Sequence, residues 1–375
     1  MNLVFLCGSI EPGKDGVGDY TRRLAQVCRE QGHMASLIAL NDAWLEKSEF
    51  IPIASTYRLA RSQPWSRRIA TLQSLLDTLQ PDWISLQFVP YAYQKKGLSH
   101  ALARRLASLN HTARWHLMFH ELWLGLDPAA SLRHRFTGFL QRLGSLRLLQ
   151  TLIPSCVHTH AAAYADVLEK ENIFSQPLPL FSNIPISPPD FTSIYTRLAS
   201  EGSTLRPDQR SPKKVLVFFG ALHPEWNPDV LLEKTTGTPL VIISLGRLGA
   251  VGEQVWQHFR QSAPPGTEFH TWGDSTSEVI SNVLQFADAG VAASPWSLLQ
   301  KSGSVAAMIE HGLPVIVTRN DFLPHTTPRL DPLWQERLFP IWSPDFVLST
   351  LQRHPPASRL EAIGQQFLHD LEVAP

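Results

Sequence analysis

The sequence predicts an α/β protein with two doubly wound parallel sheets, and three observations carry that prediction. Short apolar runs such as NLVFLC (2–7) and KKVLVFFG (213–220) alternate with helical patterns along the chain. This alternation is typical of parallel sheets that carry helices on both faces. A proline-rich stretch separates two series of such runs, and 375 residues exceed the usual size of one domain. We therefore predict two domains, each with its own sheet.

The first domain is assigned to residues 1–185. Its predicted strands are the runs NLVFLC, MASLIAL, DWISLQF, RWHLMFH and CVHTH. A helix is predicted near 19–31, where Leu24, Val27 and Cys28 recur at helical spacing, and further helices over 98–109 and 132–152. Residues 186–212 are assigned to a linker, because seven prolines lie among polar residues between Ser175 and Pro212.

The second domain is assigned to residues 213–345. Its predicted strands are KKVLVFFG, PLVIISLG, TEFHTWG, DAGVAAS and LPVIVT, with helices near 228–235, 249–262, 275–286 and 302–311. A last segment, 346–375, ends in a helix predicted over 358–371. We expect this helix to fold back onto the first domain.

Composition narrows the class of partner. The formal net charge is zero, so the whole molecule does not attract nucleic acid. Three widely spaced cysteines without a C-x-x-C pair, no secretory signal and no long apolar run predict a cytoplasmic protein. Between Arg58 and Arg147, however, the sequence contains 13 Lys and Arg residues but only four Asp and Glu residues. This excess fits either a solvated surface or a peripheral contact with an anionic membrane on its inner face.

A glycine-rich turn follows the first predicted strand. Gly13, Gly16 and Gly18 lie between that strand and the first helix, in a spacing that is neither a dinucleotide fingerprint nor a phosphate loop. Clustered glycines allow close approach of the backbone to a ligand, and a helix start favours an anion. We predict that Gly16, Val17 and Gly18 form a loop that a ligand approaches closely, and these residues alone leave the ligand open.

The segment SPWSLLQKSGSVAAMIEHGLPVIVT (294–318) carries the second candidate site. Lys301, Ser302, Gly303 and Ser304 open an alanine-rich helix directly after a predicted strand and loop. A helix start offers free N–H groups and a favourable dipole, and Lys301 adds a charge beside them. The segment therefore predicts a seat for a diphosphate, although an ordinary capped helix would read the same way.

Together these segments resemble the GT-B glycosyltransferases, which have two Rossmann-like domains facing a central cleft. GVGDYTRRLAQVCREQGH (16–33) resembles the opening of the branch with many bacterial polysaccharide and lipid glycosyltransferases. LFSNIPI, VLVFFGAL and QFADAGVAASPWSLLQKSGSVAAMIEHGLPVIVT resemble the segment before the linker, the first strand of the donor domain and its donor-binding core. The resemblance spans residues 1 to about 320.

The resemblance implies roles for individual residues. The glycine loop of Gly16, Val17 and Gly18 would face donor phosphate and acceptor. On the acceptor side, Asp19 would orient or deprotonate the acceptor hydroxyl, or else merely cap the helix. His120 would reach the reacting centre, with Glu121 orienting it, and Gln87 would bind a sugar or acceptor hydroxyl. On the donor side, His223 and Arg247 would supply cations near Lys301, and Trp296 would stack on a sugar.

The chain also departs from this family. Many relatives carry two glutamates separated by seven residues around the donor loop, and here Leu299 and Ala307 occupy those positions. The usual Arg and Lys after the first donor-domain strand align with Ala221 and Trp226. Each lost charge-assisted hydrogen bond is worth about 1.5–3 kcal/mol, so other cations must replace them.

These expectations favour a hexosyltransferase that moves a sugar from a nucleotide-sugar to a glycan or lipid-linked acceptor, as in polysaccharide biosynthesis. It would need no metal and no cofactor beyond its nucleotide-sugar substrate, and nucleic acid is not an expected partner. Two alternatives remain: a catalytically degenerate GT-B module that binds glycan or protein, and a sugar-nucleotide epimerase. The stereochemical outcome is left open.

Overall fold

The computed structural model describes residues 1–207, 213–321 and 330–375, which divide into two compact units. The first unit comprises Met1–Pro179 and Leu360–Pro375, and the second comprises the described residues between 180 and 359. Each unit has its own sheet.

The first unit contains an eight-stranded sheet in the order β3-β4-β2-β1-β5-β6-β7-β8. All neighbours are parallel except β3 and β4. The strands are β1 (Asn2–Cys7), β2 (Met34–Asp42), β3 (Glu49–Ile51), β4 (Thr56–Ala60), β5 (Trp83–Phe88), β6 (Arg114–Phe119), β7 (Cys156–Thr159) and β8 (Gln176–Pro177). Its central strands are buried on both faces, which explains why they read as continuous apolar runs.

Helices connect these parallel strands. They are α1 (Gly16–Glu30), α2 (Trp65–Leu79), α3 (Pro90–Tyr93), α4 (His100–Leu106), α5 (Leu132–Leu152) and α6 (Ala162–Glu169). The chain winds outward from β1 to β2 and β4, then returns to β5 on the other side of β1. This reversal creates a switch point at the carboxyl ends of β1 and β5, the place where ligands bind in doubly wound sheets.

The second unit contains a six-stranded parallel sheet in the order β11-β10-β9-β12-β13-β14. Its elements are α7 (Phe191–Ser200), β9 (Lys214–Phe219), α8 (Asp229–Lys234), β10 (Leu240–Leu245), α9 (Gly249–Ser262), β11 (Glu268–Gly273), α10 (Ser277–Phe286), β12 (Ala289–Ala292), α11 (Gly303–Glu310), β13 (Val315–Val317), α12 (Pro332–Gln335) and β14 (Leu338–Pro340). Its switch point lies between β9 and β12. The predicted α/β class with two parallel sheets is confirmed.

The proline-rich segment that the sequence assigns to a linker contains α7 and belongs to the second unit. The Ser187 N–H donates to Ser281 Oγ at 2.9 Å, and the Asp190 N–H donates to Asn282 Oδ1 at 2.8 Å. The proline-rich segment is therefore hydrogen-bonded to α10. Residues 208–212, the end of the predicted linker, lie outside the described residues.

The chain ends in α13 (Leu360–Val373), which belongs to the first unit. Gly364 allows close packing on α1, because a Cβ there would lie 2.3 Å from Val27 Cγ1. The Phe367 ring stacks near Phe5, with centroids 5.8 Å apart. The Arg114 guanidinium donates to backbone carbonyls of the last residues, including Leu371 O at 3.1 Å. None of the helices in the described residues is both long and apolar enough to cross a bilayer.

Candidate functional site

The first backbone N–H groups of α1 are capped by the carboxylate of the residue that precedes the helix. The helix begins at Gly16, three residues before the predicted start, so Gly16, Val17 and Gly18 form its first turn. The Val17 and Gly18 N–H groups donate to Asp15 Oδ1 at 3.0 and 2.9 Å. Burial raises the pKa of Asp15, and these two hydrogen bonds partly offset that rise. Asp15 thus occupies the amides that were expected to face phosphate.

Gly18 and Gly16 have different surroundings. A Cβ on Gly18 would lie 2.4 Å from the carbonyl oxygen of Ser9 and 2.7 Å from the Cα of Ile10. Within the described part of the chain, nothing lies within 4 Å of a Cβ on Gly16. Gly18 is therefore required for packing of α1 onto the chain leaving β1, whereas Gly16 faces open space.

Asp19 is not the helix cap. Its carboxylate accepts the Gly13 N–H at 3.1 Å and pairs with the Arg22 guanidinium. The side chain is 17% exposed, so part of the carboxylate still reaches solvent. A role for Asp19 toward an acceptor hydroxyl stays a prediction.

His120 lies just after β6 and is buried with both ring nitrogens engaged. Its Nε2 is 2.8 Å from Gln87 Oε1, and its Nδ1 is 3.1 Å from His160 Nε2. The Tyr20 ring on α1 meets both imidazoles edge-on, at 5.0 and 5.1 Å between centroids. Gln87 is also buried, so its amide positions His120 instead of facing a ligand, while Glu121 is half-buried beside it.

These groups belong to a hydrogen-bonded chain that crosses the first sheet. Seven contacts of 2.7–3.1 Å join eight groups in order: Asp370, His158, His116, Ser85, Gln87, His120, His160 and the carbonyl of Leu178. The chain connects α13 through β7, β6 and β5 to the residues that follow these strands. Most of its members are fully buried. Sequence reasoning identified only Gln87 and His120 of this set.

Hydrogen counting constrains the protonation of this chain. Both of its ends, the Asp370 carboxylate and the Leu178 carbonyl, accept only. Four neutral imidazoles, one hydroxyl and one amide supply six hydrogens for the seven contacts. When every contact is a hydrogen bond, one imidazole therefore carries a second hydrogen. The Gln87 amide nitrogen donates to Ser85 and its oxygen faces His120, so the missing hydrogen belongs to the three contacts from Gln87 through His120 and His160 to Leu178. His120 or His160 would have to carry it, and while both stay neutral one of these three contacts lacks a hydrogen.

Three imidazoles of the chain resist protonation. Burial holds the pKa values of His116 and His120 well below their usual range, and neighbouring imidazoles lower them further. Burial lowers the pKa of His160 to about 4. His120 therefore stays neutral at neutral pH, and proton transfer at either of its nitrogens would first have to break an internal hydrogen bond.

We expect the first unit to lose stability in mild acid. Because the folded pKa values of His116, His120 and His160 are lowered, the unfolded chain binds more protons below its own value of about 6.5. Stability is full above that pH and falls as the pH drops toward the folded values. At pH 5.5 each of these imidazoles lowers the free energy of unfolding by about 1.4 kcal/mol, so the three together lower it by about 4 kcal/mol. Urea unfolding at pH 7.5 and 5.5 measures this loss.

A pair of variants separates this effect from general acid sensitivity. His160→Gln removes one of the three imidazoles and should reduce the loss between the two pH values by about a third. His258→Gln, at an exposed histidine of the second unit, should leave the loss unchanged. Equal pH dependence in both variants would contradict the assignment.

Three ligand-type side chains of this region also lie close together. One atom each of His116, Cys156 and His158 fall within 4.8 Å of one another, and all three residues are buried. Cys156 Sγ, however, lies 3.9 and 3.8 Å from the two nitrogens of His158, beside the ring and in line with neither lone pair. Those nitrogens already face His116 and Asp370. The cluster is thus arranged for hydrogen bonding.

The switch point of the second unit is lined by glycine backbone and hydroxyl groups. Gly220 follows β9 at φ +95°, and a Cβ there would lie 3.7 Å from Ser304 Cβ at the start of α11. Gly246 follows β10 at φ +85°, where a Cβ would lie 3.4 Å from Gly220 Cα. Only glycine adopts such conformations readily. The first turn of α11 therefore lies against the backbone turn at Gly220, and the turn at Gly246 lies beside Gly220.

Three serines surround this helix start. Ser302 is the N-cap of α11, and its Oγ lies 3.1 Å from Ser304 Oγ and 3.4 Å from Ser294 Oγ. Ser294 follows β12, so all three hydroxyls lie in the connection from β12 to α11, on the β12 side of the switch point. Lys301 and Gly303 are half-buried beside them. The predicted group Lys301, Ser302, Gly303 and Ser304 is brought together at the carboxyl edge of the sheet.

The predicted cations of this unit have acidic partners. Arg247 is exposed and forms an ion pair with Asp274 at 2.6 Å. His223 is half-exposed, and partial burial together with the nearby Arg319 lowers its pKa. Arg319, which the sequence did not single out, is buried after β13 and pairs with Glu225 at 3.0 Å and with Asp321.

The positions that depart from the family are apolar or internally bonded. Leu299 and Ala307, which align with the missing glutamates, are fully buried. Trp226 is buried, and its Nε1–H donates to Thr318 Oγ1 at 2.7 Å. Glu310 is buried as well and accepts the Ser182 N–H at 2.8 Å, so it holds the chain that enters the unit.

Trp296 is the predicted sugar platform. It begins a short 3₁₀ segment, Trp296–Lys301, and is half-buried. Its ring meets Trp342 edge-on at 5.9 Å between centroids, which leaves the stacking role a prediction.

Sequence reasoning missed Asp15, His160 and Arg319. Asp15 had a local signal, since a polar residue directly before a helix is a standard N-cap. His160 and Arg319 had none, because their partners lie 40 and 94 residues away in the chain. Such pairings follow only from the order of strands in the sheet.

Comparison with known proteins supports the fold at low sequence identity. No protein-family model matches the chain, and no curated protein is significantly similar to it in sequence. The Anabaena protein HepE, solved in complex with UDP and glucose, matches with a TM-score of 0.54 and 13% identity over 86% of this chain and 82% of its own. AviGT4, a glycosyltransferase involved in avilamycin A biosynthesis, matches with a TM-score of 0.52 and 12% identity over 99% and 97%.

An epimerase has an equally similar fold. The UDP-GlcNAc 2-epimerase from Methanocaldococcus jannaschii matches with a TM-score of 0.54 and 11% identity over 99% of both chains. At such identities the likeness concerns the fold. The predicted resemblance to the GT-B glycosyltransferase fold is confirmed, and that fold is shared with the epimerase.

Proposed function

We propose that this protein is a glycosyltransferase that uses a nucleoside-diphosphate sugar as donor. The second unit binds the donor, with its diphosphate at the start of α11 against Ser302, Gly303 and Ser304. The first unit binds the acceptor at the start of α1 and beside His120. The reaction requires no metal in this proposal, because helix-start amides and nearby cations hold the diphosphate charge.

One observation carries the proposal. The N-terminus of α11, three hydroxyls and the positive-φ turn at Gly220 meet at the switch point between β9 and β12, and the turn at Gly246 lies beside Gly220. Switch points are where doubly wound sheets bind nucleotides, and a helix start supplies donors and a positive dipole to phosphate. Known proteins of this fold include one solved with UDP and glucose.

The cations would become available on donor binding. Arg247 is held by Asp274 in a solvent-exposed pair, which is worth at most about 1 kcal/mol. A charge-assisted hydrogen bond to phosphate is worth about 1.5–3 kcal/mol, so exchange of the carboxylate for diphosphate is favourable. Lys301 adds a further positive charge beside the helix start.

On the acceptor side, Asp19 is the proposed base or orienting group. Its carboxylate is fixed by Gly13 and Arg22 while part of it stays accessible. His120 is proposed to contact the acceptor or the donor sugar as a neutral, rigidly held imidazole. Gln87 and His160 fix that ring, and its buried nitrogens make it unsuitable as a primary base.

Two other functions fit the same fold. An epimerase is favoured by the match to the archaeal enzyme, and a binding module without catalysis is favoured by the buried Leu299 and Ala307 at the glutamate positions. Carboxylates distinguish the first alternative, since inversion of a sugar carbon needs acid and base groups at the sugar. The polar side chains at the start of α11 include three serine hydroxyls and Lys301.

Nucleotide binding is the first test. Calorimetric titration of the full chain with UDP, GDP, ADP and dTDP is expected to detect one of the four. At 100 times its dissociation constant that ligand should stabilise the protein by about 2.7 kcal/mol. The matching UDP-, GDP-, ADP- or dTDP-sugar should then be consumed with release of the nucleoside diphosphate.

The outcomes separate the three functions. Release of nucleoside diphosphate supports transfer, and its release is increased by an acceptor. Conversion of the sugar without release of nucleotide supports an epimerase. Nucleotide binding with neither reaction supports a binding module, and no binding of any of the four nucleotides overturns the proposal.

A further inference from the structure

Helix α5 of the first unit exposes its apolar side and buries small and polar residues. The buried residues share one face and include Gly138, Gln141, Gly144, Ser145 and Leu148. On the opposite face, Leu132 is 84% exposed, Phe136 65%, Phe139 50% and Leu143 39%. Their spacing of four, three and four residues keeps them on one side of the helix. A surface helix of a globular protein normally has the reverse arrangement.

The orientation of α5 is fixed by contacts that admit no rotation. A Cβ on Gly138 would lie 1.8 Å from the carbonyl oxygen of Leu124, and a Cβ on Gly144 would lie 2.8 Å from Ser99 Oγ. The Gln141 amide donates to Lys96 O at 2.9 Å and accepts the Leu124 N–H at 2.9 Å. The apolar stripe (Leu132, Phe136, Phe139 and Leu143) therefore cannot turn into the core.

The stripe is flanked by positive charge. Arg133, Arg135 and Arg147 on α5 are exposed beside it, and Lys95, Lys96 and Arg104 are exposed on the segments packed against α5. Arg104 and Arg147 line an open groove of about 400 Å³ together with Leu143. Between Asp82 and Asp166 the sequence contains only two acidic residues, Glu121 and Asp127.

The structure also shows which cations of the positive excess between Arg58 and Arg147 have structural partners and which are exposed. Arg58 is buried and paired with Asp42, Arg68 is buried against Leu40 O, and Arg142 is paired with Glu171. These cations have structural partners. Of the eight exposed cations that remain in the region, six lie on α5 or on the segments packed against it, and Arg61 and Arg67 lie elsewhere. Most of the exposed excess therefore belongs to the same surface as the apolar stripe.

We propose that α5 docks this protein on an anionic lipid surface. Phe136 and Phe139 enter the boundary between headgroups and acyl chains, and the flanking arginines bind lipid phosphates. Interfacial helices combine such an apolar face with basic residues, and their binding depends on both. The charge selects this occupant: a second copy docked through the same stripe would place the same cations against each other.

Vesicle sedimentation of the full chain tests the proposal. We expect binding to vesicles of phosphatidylcholine with phosphatidylglycerol, and little binding to vesicles of phosphatidylcholine alone. High salt should weaken binding, because the Debye length falls from about 10 Å at 0.1 M to about 3 Å at 1 M. Equal binding to both kinds of vesicle, or none to either, overturns the proposal.

Two variants remove the two components separately. Phe136→Ser with Phe139→Ser should weaken binding to the anionic vesicles by about tenfold or more, because two aromatic side chains no longer enter the interface. Arg133→Glu with Arg147→Glu should weaken it by at least about twentyfold, since each lost cation is worth about fivefold. All four side chains are exposed, so the melting temperature should not change.

Matched controls use the same chemistry elsewhere. Ile53→Ser with Phe174→Ser removes exposed apolar side chains of the same unit, and Arg67→Glu with Arg260→Glu removes exposed cations. Both control proteins should bind vesicles like the original chain. Equal losses in the controls, or light scattering that shows a dimer lost with Phe136→Ser and Phe139→Ser but no vesicle binding, would contradict lipid docking. The outcome is independent of nucleotide binding.

Discussion

Replacing Gly303 by aspartate is expected to weaken nucleoside-diphosphate binding by at least about thirtyfold while the protein stays folded. In the proposed site the diphosphate lies at the first turn of α11, so a carboxylate at Gly303 would face it. Two like charges about 4 Å apart near a protein surface repel by about 4 kcal/mol at an effective dielectric constant of 20. A loss of about 2 kcal/mol already corresponds to about thirtyfold in affinity.

The fold should tolerate this change for two reasons. None of the residues that the structure describes has an atom within 4 Å of a Cβ on Gly303, and its φ is not in the left-handed region. Aspartate in the first turn of a helix also interacts favourably with the helix dipole, by about 0.3–1 kcal/mol. The melting temperature of Gly303→Asp is therefore expected to equal or exceed that of the original protein.

Two control variants isolate the charge and its location. Gly303→Ala fills the same space without charge and should bind the nucleotide nearly as well as the original chain. Ser277→Asp places the same charge in the first turn of α10, at an exposed position away from the switch point. If Gly303→Asp binds the nucleotide with unchanged affinity in the calorimetric titration, the diphosphate does not bind at the start of α11, even if the protein binds nucleotide elsewhere.

The sheets were predictable because of how their strands are buried. The central strands β1, β5, β9 and β10 are covered on both faces, so each must be apolar along its whole length. Helices with one buried face, such as α9, gave an equally direct periodic signal, because Gly252, Trp256 and Phe259 recur at helical spacing. The short strands β3 and β8 lack such a signal, because edge strands are only partly buried.

The start of α1 was misplaced for a physical reason. Glycines lower helix propensity, so Gly16 and Gly18 suggested a turn where the structure has helix. Asp15 compensates by capping two N–H groups, and the close contact of Gly18 with Ser9 outweighs the propensity cost. Here tertiary packing decides the local conformation.

Functional roles were less predictable than positions. The sequence located Gln87 and Arg247 correctly at strand ends, but their partners are 33 and 27 residues away. Whether an amide at a strand end faces a ligand or a neighbouring imidazole depends on which strand lies beside it. The order of strands β5, β6 and β7 brings the histidines together, and no local pattern encodes that order.

Gly18→Ala is expected to destabilise the first unit by about 2–3 kcal/mol, in contrast to Gly16→Ala two residues earlier. The added methyl group at position 18 would meet backbone atoms of Ser9 and Ile10 at 2.4 and 2.7 Å, and backbone cannot yield as a flexible side chain does. Overpacking of this kind costs about 1–3 kcal/mol. α1 would have to shift away from β1, and Asp19 and Tyr20 would move with it.

Gly16→Ala provides the comparison because both glycines lie in the same helical turn and neither has a positive φ. A Cβ at position 16 meets no atom of residues 1–207, 213–321 or 330–375 within 4 Å. Because alanine also lowers the entropy of the unfolded chain, stability should stay equal or rise by up to about 1 kcal/mol. Urea unfolding of the two variants at neutral pH measures the difference. Equal stability of the two variants would mean that α1 does not pack on the chain that leaves β1. The fixed positions proposed for Asp19 and for the residues around His120 would then lack support.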